Sequence, residues 1–77
     1  MDSMGKLFGR VLCDLRQKRG ISQEKLAFDS GLHRTYISLI ERGVKSPSLR
    51  TIFQISRALK VKPSVLLSKV ERGSKRG

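Results

Sequence analysis

Glycines divide the first half of the chain into short segments, each with the apolar spacing of an amphipathic helix. They stand at the ends of three such segments, at Gly20, Gly31 and Gly43. A glycine readily adopts the left-handed backbone conformation that ends many helices. A chain punctuated in this way is restricted to short helices that are joined by tight turns.

The first three segments have apolar residues on one side and polar residues on the other. In residues 6–18 the apolar side is formed by Phe8, Leu12 and Leu15. Ser22 is placed to cap a short helix over residues 23–29. The third helix is predicted over residues 32–42, and its apolar side is formed by Leu32, Ile37 and Ile40.

Two further helices are predicted in the second half. Ser48 follows a turn at residues 43–47 and is placed to cap a helix over residues 49–59. The apolar stripe of that helix is formed by Leu49, Ile52, Ile55 (or Phe53) and Leu59. The last helix begins near Pro63 and contributes Val65, Leu66 and Val70. No segment has the two-residue period of a strand, so the predicted fold is all-α, a bundle of five helices.

The length of 77 residues allows a single domain. Residues 6–70 contain the predicted helices, and residues 1–5 are predicted to be a flexible N-terminus. Residues 71–77 are rich in Gly, Ser, Lys and Arg and are predicted to be a disordered basic tail. A core of this size stabilises a monomer only marginally, so dimerisation would add stability.

The charge balance points to a polyanionic partner. The chain has 17 Lys and Arg against 6 Asp and Glu, a formal net charge of +11. Such an excess destabilises a compact state by self-repulsion unless a polyanion relieves it, so nucleic acid is the first candidate partner. The alternative is that these charges only keep a small domain soluble.

Several other classes of function find no support in the residues. One cysteine, Cys13, and one histidine cannot form a disulfide or a zinc site, so no metal or cofactor is expected. No phosphate loop or serine elbow occurs, so neither an enzyme nor a small-molecule ligand is expected. No apolar run approaches the roughly 18 residues of a membrane helix, and no secretory signal is found, so a cytoplasmic protein without membrane contact is expected. Binding of single-stranded RNA usually uses exposed aromatic residues of the protein, and it is disfavoured because Phe8, Phe28 and Phe53 are predicted to be committed to packing.

Residues 23–29 and 33–42 form two short helices separated by a turn that contains glycine, which is the pattern of a helix-turn-helix over residues 23–42. Ala27 provides the small side chain that a close helix crossing needs, and Gly31 tolerates a positive φ. The shared core of the motif is predicted to contain Leu26, Leu32, Ile37 and Ile40.

With Ile37 and Ile40 turned inward, the opposite face of the second helix is nearly free of acidic residues. It presents Arg34, Thr35, Ser38 and Leu39. Arginine suits guanine, hydroxyl groups suit several bases, and leucine suits the methyl group of thymine. We predict that these four residues read bases in the major groove; the alternative is a solvated helix face.

These residues resemble a known family. Residues 22–27, 31–32 and 34–43 are similar to the lambda-repressor and Cro-like (xenobiotic-response-element type) helix-turn-helix family. The runs RTYIS at 34–38 and IER at 40–42 are most similar to controller proteins of restriction-modification systems. The resemblance, over about residues 8–67, implies a homodimeric transcriptional regulator, activator or repressor, on a near-palindromic double-stranded operator. Phage-type or chromosomal repressors, and antitoxin-like modules that bind a partner protein, are the alternatives.

The resemblance also implies which residues meet the DNA backbone. Gln23 opens the second helix and would contact a phosphate with help from Ser22, and the free N–H groups at a helix N-terminus favour the same role. Further residues would position the protein on the phosphates: Arg42, Lys45, Ser46 and Ser48. Tyr36 either lies along the DNA backbone or packs against the second helix.

Two more residues are assigned through the resemblance. The family typically joins the positions of Arg16 and Glu41 in a partly buried ion pair, so Arg16 is not expected to contact DNA. His33 departs from the family, which usually has Ser, Thr or Asp there as N-cap of the recognition helix. His33 is predicted either to approach a phosphate or to cap this helix poorly.

The last third of the chain has more apolar residues than one small core needs. We predict a dimer interface on the fourth and fifth helices, formed by Phe53, Val61, Val65, Leu66 and Leu67, with Val70 in the same apolar set. The alternative is that all of them are intramolecular core. A second subunit would supply the second half-site contact that specific affinity requires. Activation would require contacts with RNA polymerase, which is a further candidate partner.

Overall fold

The computed structural model describes the backbone of residues 3–75 and the side chains of residues 4–73. This part of the chain forms five α-helices and contains no strand. The helices are α1 Ser3–Lys18, α2 Gln23–Ser30, α3 Arg34–Glu41, α4 Leu49–Leu59 and α5 Pro63–Lys75. The all-α, five-helix prediction is confirmed.

Local side-chain chemistry sets the helix ends where the sequence predicts them. Ser22 Oγ accepts a hydrogen bond from Lys25 N at 3.0 Å, and Ser48 Oγ accepts one from Thr51 N at 3.2 Å. Each bond satisfies an N–H group that has no partner within its own helix. Gly31, after α2, has a φ of 76°, in the left-handed region that favours glycine.

The core lies between the five helices. It is formed by buried side chains from every helix, namely Phe8, Leu12, Leu15, Leu26, Ala27, Ile37, Ile40, Ile55, Leu59, Leu66 and Val70. Hydrogen bonds to backbone oxygens tie α4 to the first half of the chain. Arg19 Nε donates to Leu59 O at 2.9 Å, and Gln54 Nε2 donates to Ser30 O at 3.2 Å.

A close helix contact at Gly9 holds α1 against the C-terminal end of α3. A Cβ at Gly9 would lie 2.5 Å from Glu41 O and would also clash with Ile40 O. Only a residue without a side chain allows the two backbones to come this close. Gly9 stands inside a helix, where glycine costs about 1 kcal/mol relative to alanine. The sequence signal for this contact is a glycine within an otherwise helical pattern, and our sequence analysis missed it.

Both ends that were predicted to be flexible or disordered contain helical residues within the described part of the chain. Of residues 1–5, residues 3–5 belong to α1, where Gly5 is buried. Of residues 71–77, residues 71–75 continue α5, and Gly73 packs beside Leu7. The predictions for residues 1–2 and 76–77 lie outside the described residues. The domain therefore extends beyond residues 6–70 at both ends, because packing between α1 and α5 supports residues that have little apolar surface of their own.

Three apolar residues have burial opposite to the prediction. Phe28 was expected to pack inside but is 82% exposed, because it lies opposite the buried side of α2. Leu49 was expected on the apolar stripe of α4 but is 68% exposed, about 100° from that stripe. Leu66, predicted at the dimer interface, is fully buried in the core of the subunit. Leu66 therefore has no surface left for a partner, and that assignment is wrong.

Candidate nucleic-acid interface

The helix-turn-helix consists of α2, a tight turn at residues 31–33, and α3. The N–H of Gly31 donates to Phe28 O at 3.3 Å, and the N–H of Leu32 donates to Ala27 O at 3.0 Å. These bonds end α2 and redirect the chain within three residues. Ala27 is buried at the crossing of the two helices, as predicted. The turn and the small residue fix the angle at which α3, the recognition helix, leaves α2.

The outer face of α3 is built around its buried side. Ile37 and Ile40 are fully buried, which turns the centre of the opposite face outward. The four residues predicted to read bases are found at the surface: Arg34 and Thr35 are exposed, and Ser38 and Leu39 are half-buried. Arg42, directly after the helix, lies on the same side and is exposed. The structure thus brings the predicted base-reading residues together beside one of the predicted phosphate-binding residues.

The N-terminal end of α3 has no side-chain cap. His33 has the extended backbone of an N-cap residue, but its side chain makes no capping hydrogen bond. The prediction that His33 caps this helix poorly is confirmed. Its approach to a phosphate stays a prediction.

An ion pair holds the C-terminal part of α3 against α1. Arg16 Nε lies 2.7 Å from Glu41 Oε2, and Arg16 Nη2 lies 3.3 Å from Glu41 Oε1. The two side chains are only 12% and 5% exposed. Arg16 Nη1 also donates to Ile21 O at 2.8 Å. Arg16 thus joins α1, the loop before α2, and α3, and the ion pair expected from the resemblance is present.

Gln23 belongs to the same network. Its Nε2 donates to Glu41 Oε1 at 2.9 Å and links the first residue of α2 to the last residue of α3. The sequence analysis assigned Gln23 to DNA alone and missed this structural contact. This hydrogen bond uses one of the two N–H groups of the side-chain amide. The DNA contact of Gln23 stays a prediction.

Cys13 lies beside the ion pair, 3.9 Å from Arg16 Nη2. Burial, followed by the negative charge of Glu41, raises the pKa of the Cys13 thiol above its ordinary value. The hydrogen bond from Arg16 to Glu41 in turn raises the pKa of the guanidinium. Cys13 is therefore a neutral thiol at ordinary pH and fills space next to the network.

Tyr36 packs within the subunit, and its position along the DNA backbone stays a prediction. Its ring is partly buried against the core, and its hydroxyl lies 3.4 Å from Thr51 Oγ1 on α4. Thr51 Oγ1 also lies 3.0 Å from Ser48 Oγ. This chain of hydroxyl groups links α3 to α4. Tyr36 and Ser48 are held close to each other by it, next to the turn that follows α3.

The remaining predicted phosphate-binding residues lie at helix starts and in the turn between α3 and α4. Ser22, Arg42, Lys45, Ser46 and Ser48 are all exposed. The turn begins at Gly43, whose φ is 76°. The N–H of Val44 donates to Leu39 O at 2.9 Å and holds the turn against the end of α3. The turn thereby places the exposed residues Arg42 and Lys45 next to the end of α3.

None of the helices in residues 3–75 is long and apolar enough to cross a membrane. The same part of the chain contains no group of three or more His, Cys, Asp and Glu side chains that could hold a metal ion.

The family model described as helix-turn-helix matches residues 14–66, from the second half of α1 to the start of α5. The chain belongs to the helix-turn-helix family. Within this lambda-repressor and Cro-like family its relatives are DNA-binding transcriptional regulators, and it is one of them. The sequence is 55% identical over 62 residues to control protein C.BamHI of Bacillus amyloliquefaciens, which covers 79% of this chain and 76% of that protein.

Solved structures of helix-turn-helix controllers have the same fold. The restriction-modification controller C.AhdI from Aeromonas hydrophila is similar, with a TM-score of 0.79 and 44% identity over 80% of this chain and 94% of that chain. The tetramer of controller C.Esp1396I in complex with its natural 35 base-pair operator is similar, with a TM-score of 0.86 and 29% identity. That match covers 94% of this chain and 95% of that chain.

Proposed function

We propose that this regulator is the controller of a restriction-modification system, which binds a near-palindromic operator as a homodimer and activates or represses transcription there. The observation that carries the proposal is the outer face of α3, which is formed by Arg34, Thr35, Ser38 and Leu39 and is nearly free of acidic residues. The identity to control protein C.BamHI supports the controller role. The operator complex of C.Esp1396I supports assembly of several subunits on one DNA site.

In this proposal the α3 face reads bases and the surrounding residues bind the backbone. Arg34 is exposed in the first turn of α3, where it can donate two hydrogen bonds to a guanine in the major groove. Gln23, Arg42 and Lys45 hold phosphates and set the depth of α3 in the groove. The match to a family of DNA-binding regulators supports the proposal of a regulator without enzyme activity that acts in the cytoplasm, where the DNA lies.

Exposed apolar residues of α4 and α5 provide the proposed dimer interface. Phe53 is 48% exposed, Val65 is 42% exposed and Leu67 is 41% exposed, while Val61 is half-buried. Next to Leu67 an apolar recess of about 170 Å³ opens between α1, the turn after α3, α4 and α5, lined partly by Met4, Pro47 and Ile52. A bulky side chain of a second subunit fits such a recess. With Leu66 in the core, Phe53 and Leu67 become the central residues of the interface.

Selection of bound DNA from a random pool, followed by footprinting, tests the proposed function. We expect an enriched sequence with two half-sites related by symmetry and separated by about 10 base pairs, one helical turn. The two half-sites should become protected from cleavage together, at the same protein concentration. A single unpaired half-site would contradict the dimer, and a pool without enrichment would contradict sequence-specific binding.

Substitution of Arg34 separates base reading from backbone binding. Arg34→Ala should weaken binding by about 1–3 kcal/mol per half-site and relax the preference at one base pair of each half-site. Arg42→Ala is the matched control, because it removes the same side chain from the same side of α3. It should weaken all sequences by a similar factor. Both variants are measured on the selected operator and on operators with each base pair replaced. Equal losses for Arg34→Ala on every sequence would contradict the base-reading role.

A further inference from the structure

The N-terminal part of α1 lies against the turn that follows the recognition helix. A Cβ at Gly43 would lie 2.6 Å from Lys6 Cγ and 3.0 Å from Lys6 Cα. The stem of Lys6 therefore packs directly on Gly43, in a space that only glycine leaves open. The residue as a whole is exposed, so its ammonium group extends past this contact into solvent.

Lys6 lies near two cationic residues that are already proposed to bind the DNA backbone. Arg42 precedes Gly43 and Lys45 follows it, and both are exposed. The nearby carboxylate of Glu41 is 5% exposed and is bound by Arg16. The three cations Lys6, Arg42 and Lys45 form a basic edge beside the outer face of α3. Cations crowded on one edge repel one another, and a polyanion along that edge relieves the repulsion.

We infer that Lys6 binds a DNA phosphate and extends the backbone contacts of Arg42 and Lys45 onto α1. The inference rests on the proposed function, since it adds a residue to the same DNA-binding surface. A lysine ammonium group serves as a point charge for a phosphate and needs no fixed orientation. The competing explanation is structural, because a cation near the C-terminal end of α3 also compensates the negative end of its dipole. The two explanations differ in what salt does to binding.

Binding of Lys6→Gln to DNA over a salt series tests the inference. The probes are the selected operator and a scrambled duplex of the same length, both measured by fluorescence anisotropy. Each lost phosphate contact reduces the slope of log affinity against log salt by about 0.9, so a dimer should lose about 1.8. The ratio of wild-type to variant affinity should then fall about tenfold between roughly 50 and 200 mM salt. We expect the same change on both duplexes, because phosphates carry no sequence information.

Lys62→Gln is the matched control. It removes the same charge from the exposed loop after α4, and the 11 residues of α4 place that loop about 16 Å from the turn at Ser48. Lys62→Gln should keep the wild-type slope, and so should Lys6→Arg, which keeps the charge.

Three results would overturn the inference. The first is a Lys6→Gln protein that has the same slope of log affinity against log salt as a wild type that binds DNA, even if the variant has a lower Tm. The second is an equal loss for Lys62→Gln, which would show an effect of net charge alone. The third is a slope for Lys6→Arg as shallow as that of Lys6→Gln. A wild type that binds neither duplex would instead overturn the proposed function, so the two failures are distinguishable.

Discussion

Glu41→Ala is expected to lower the free energy of unfolding by about 3–5 kcal/mol, because it leaves the Arg16 guanidinium charged and unpaired in a site where that side chain is only 12% exposed. Gln23 loses its hydrogen-bond acceptor in the same substitution. For a domain of this size the loss corresponds to a decrease in Tm of about 12 °C or more. Thermal and urea unfolding followed by circular dichroism, at one fixed protein concentration, measure both quantities.

Asp29→Ala is the control for this prediction. Asp29 Oδ1 lies 3.2 Å from Lys25 Nζ, but these side chains are 30% and 57% exposed. An exposed pair contributes at most about 1 kcal/mol. The double variant Arg16→Ala/Glu41→Ala should lose less than the sum of the two single losses, since neither charge is left unpaired. A Glu41→Ala protein with the Tm of Asp29→Ala would show that burial does not strengthen this pair.

The affinity for DNA is expected to fall steeply with salt. If each subunit neutralises about four to six phosphates, the dimer should have a slope of roughly −7 to −11 in log affinity against log salt. Between about 50 and 200 mM salt this corresponds to a decrease of about 10⁴-fold or more. The cations Arg42 and Lys45, fixed in the turn after α3, are the structural source of part of this slope. Anisotropy titrations on the selected operator measure it.

The charge of the whole protein provides the alternative explanation for such a slope. A net charge of +11 attracts DNA to any face of the molecule. Arg42→Ala should reduce the slope of the dimer by about 1.8, whereas Lys62→Gln should leave it unchanged. A wild-type slope near zero would contradict DNA binding. Equal changes for the two variants would contradict a localised phosphate-binding surface.

The helix-turn-helix itself could be predicted from the sequence because its signals act within a few residues. Ser22 and Ser48 cap the helices that directly follow them, and Gly31 and Gly43 adopt the left-handed conformation where the helices before them end. The spacing of Ile37 and Ile40 orients the outer face of α3 without reference to any other element. The ion pair of Arg16 and Glu41 was reached only through the resemblance, since its partners are 25 residues apart.

By itself, the sequence determined the number of helices, most of their ends and the face of α3 that lies outward, because caps, glycine conformations and periodicity are local properties. Only the tertiary structure decided the burial of a few apolar residues, since Leu66 enters the core while Phe28 and Leu49 stay exposed. It also decided the contacts of Gly9 with α3 and of Lys6 with Gly43. These depend on how closely two distant helices approach, which is a property of the assembled packing and not of any one segment.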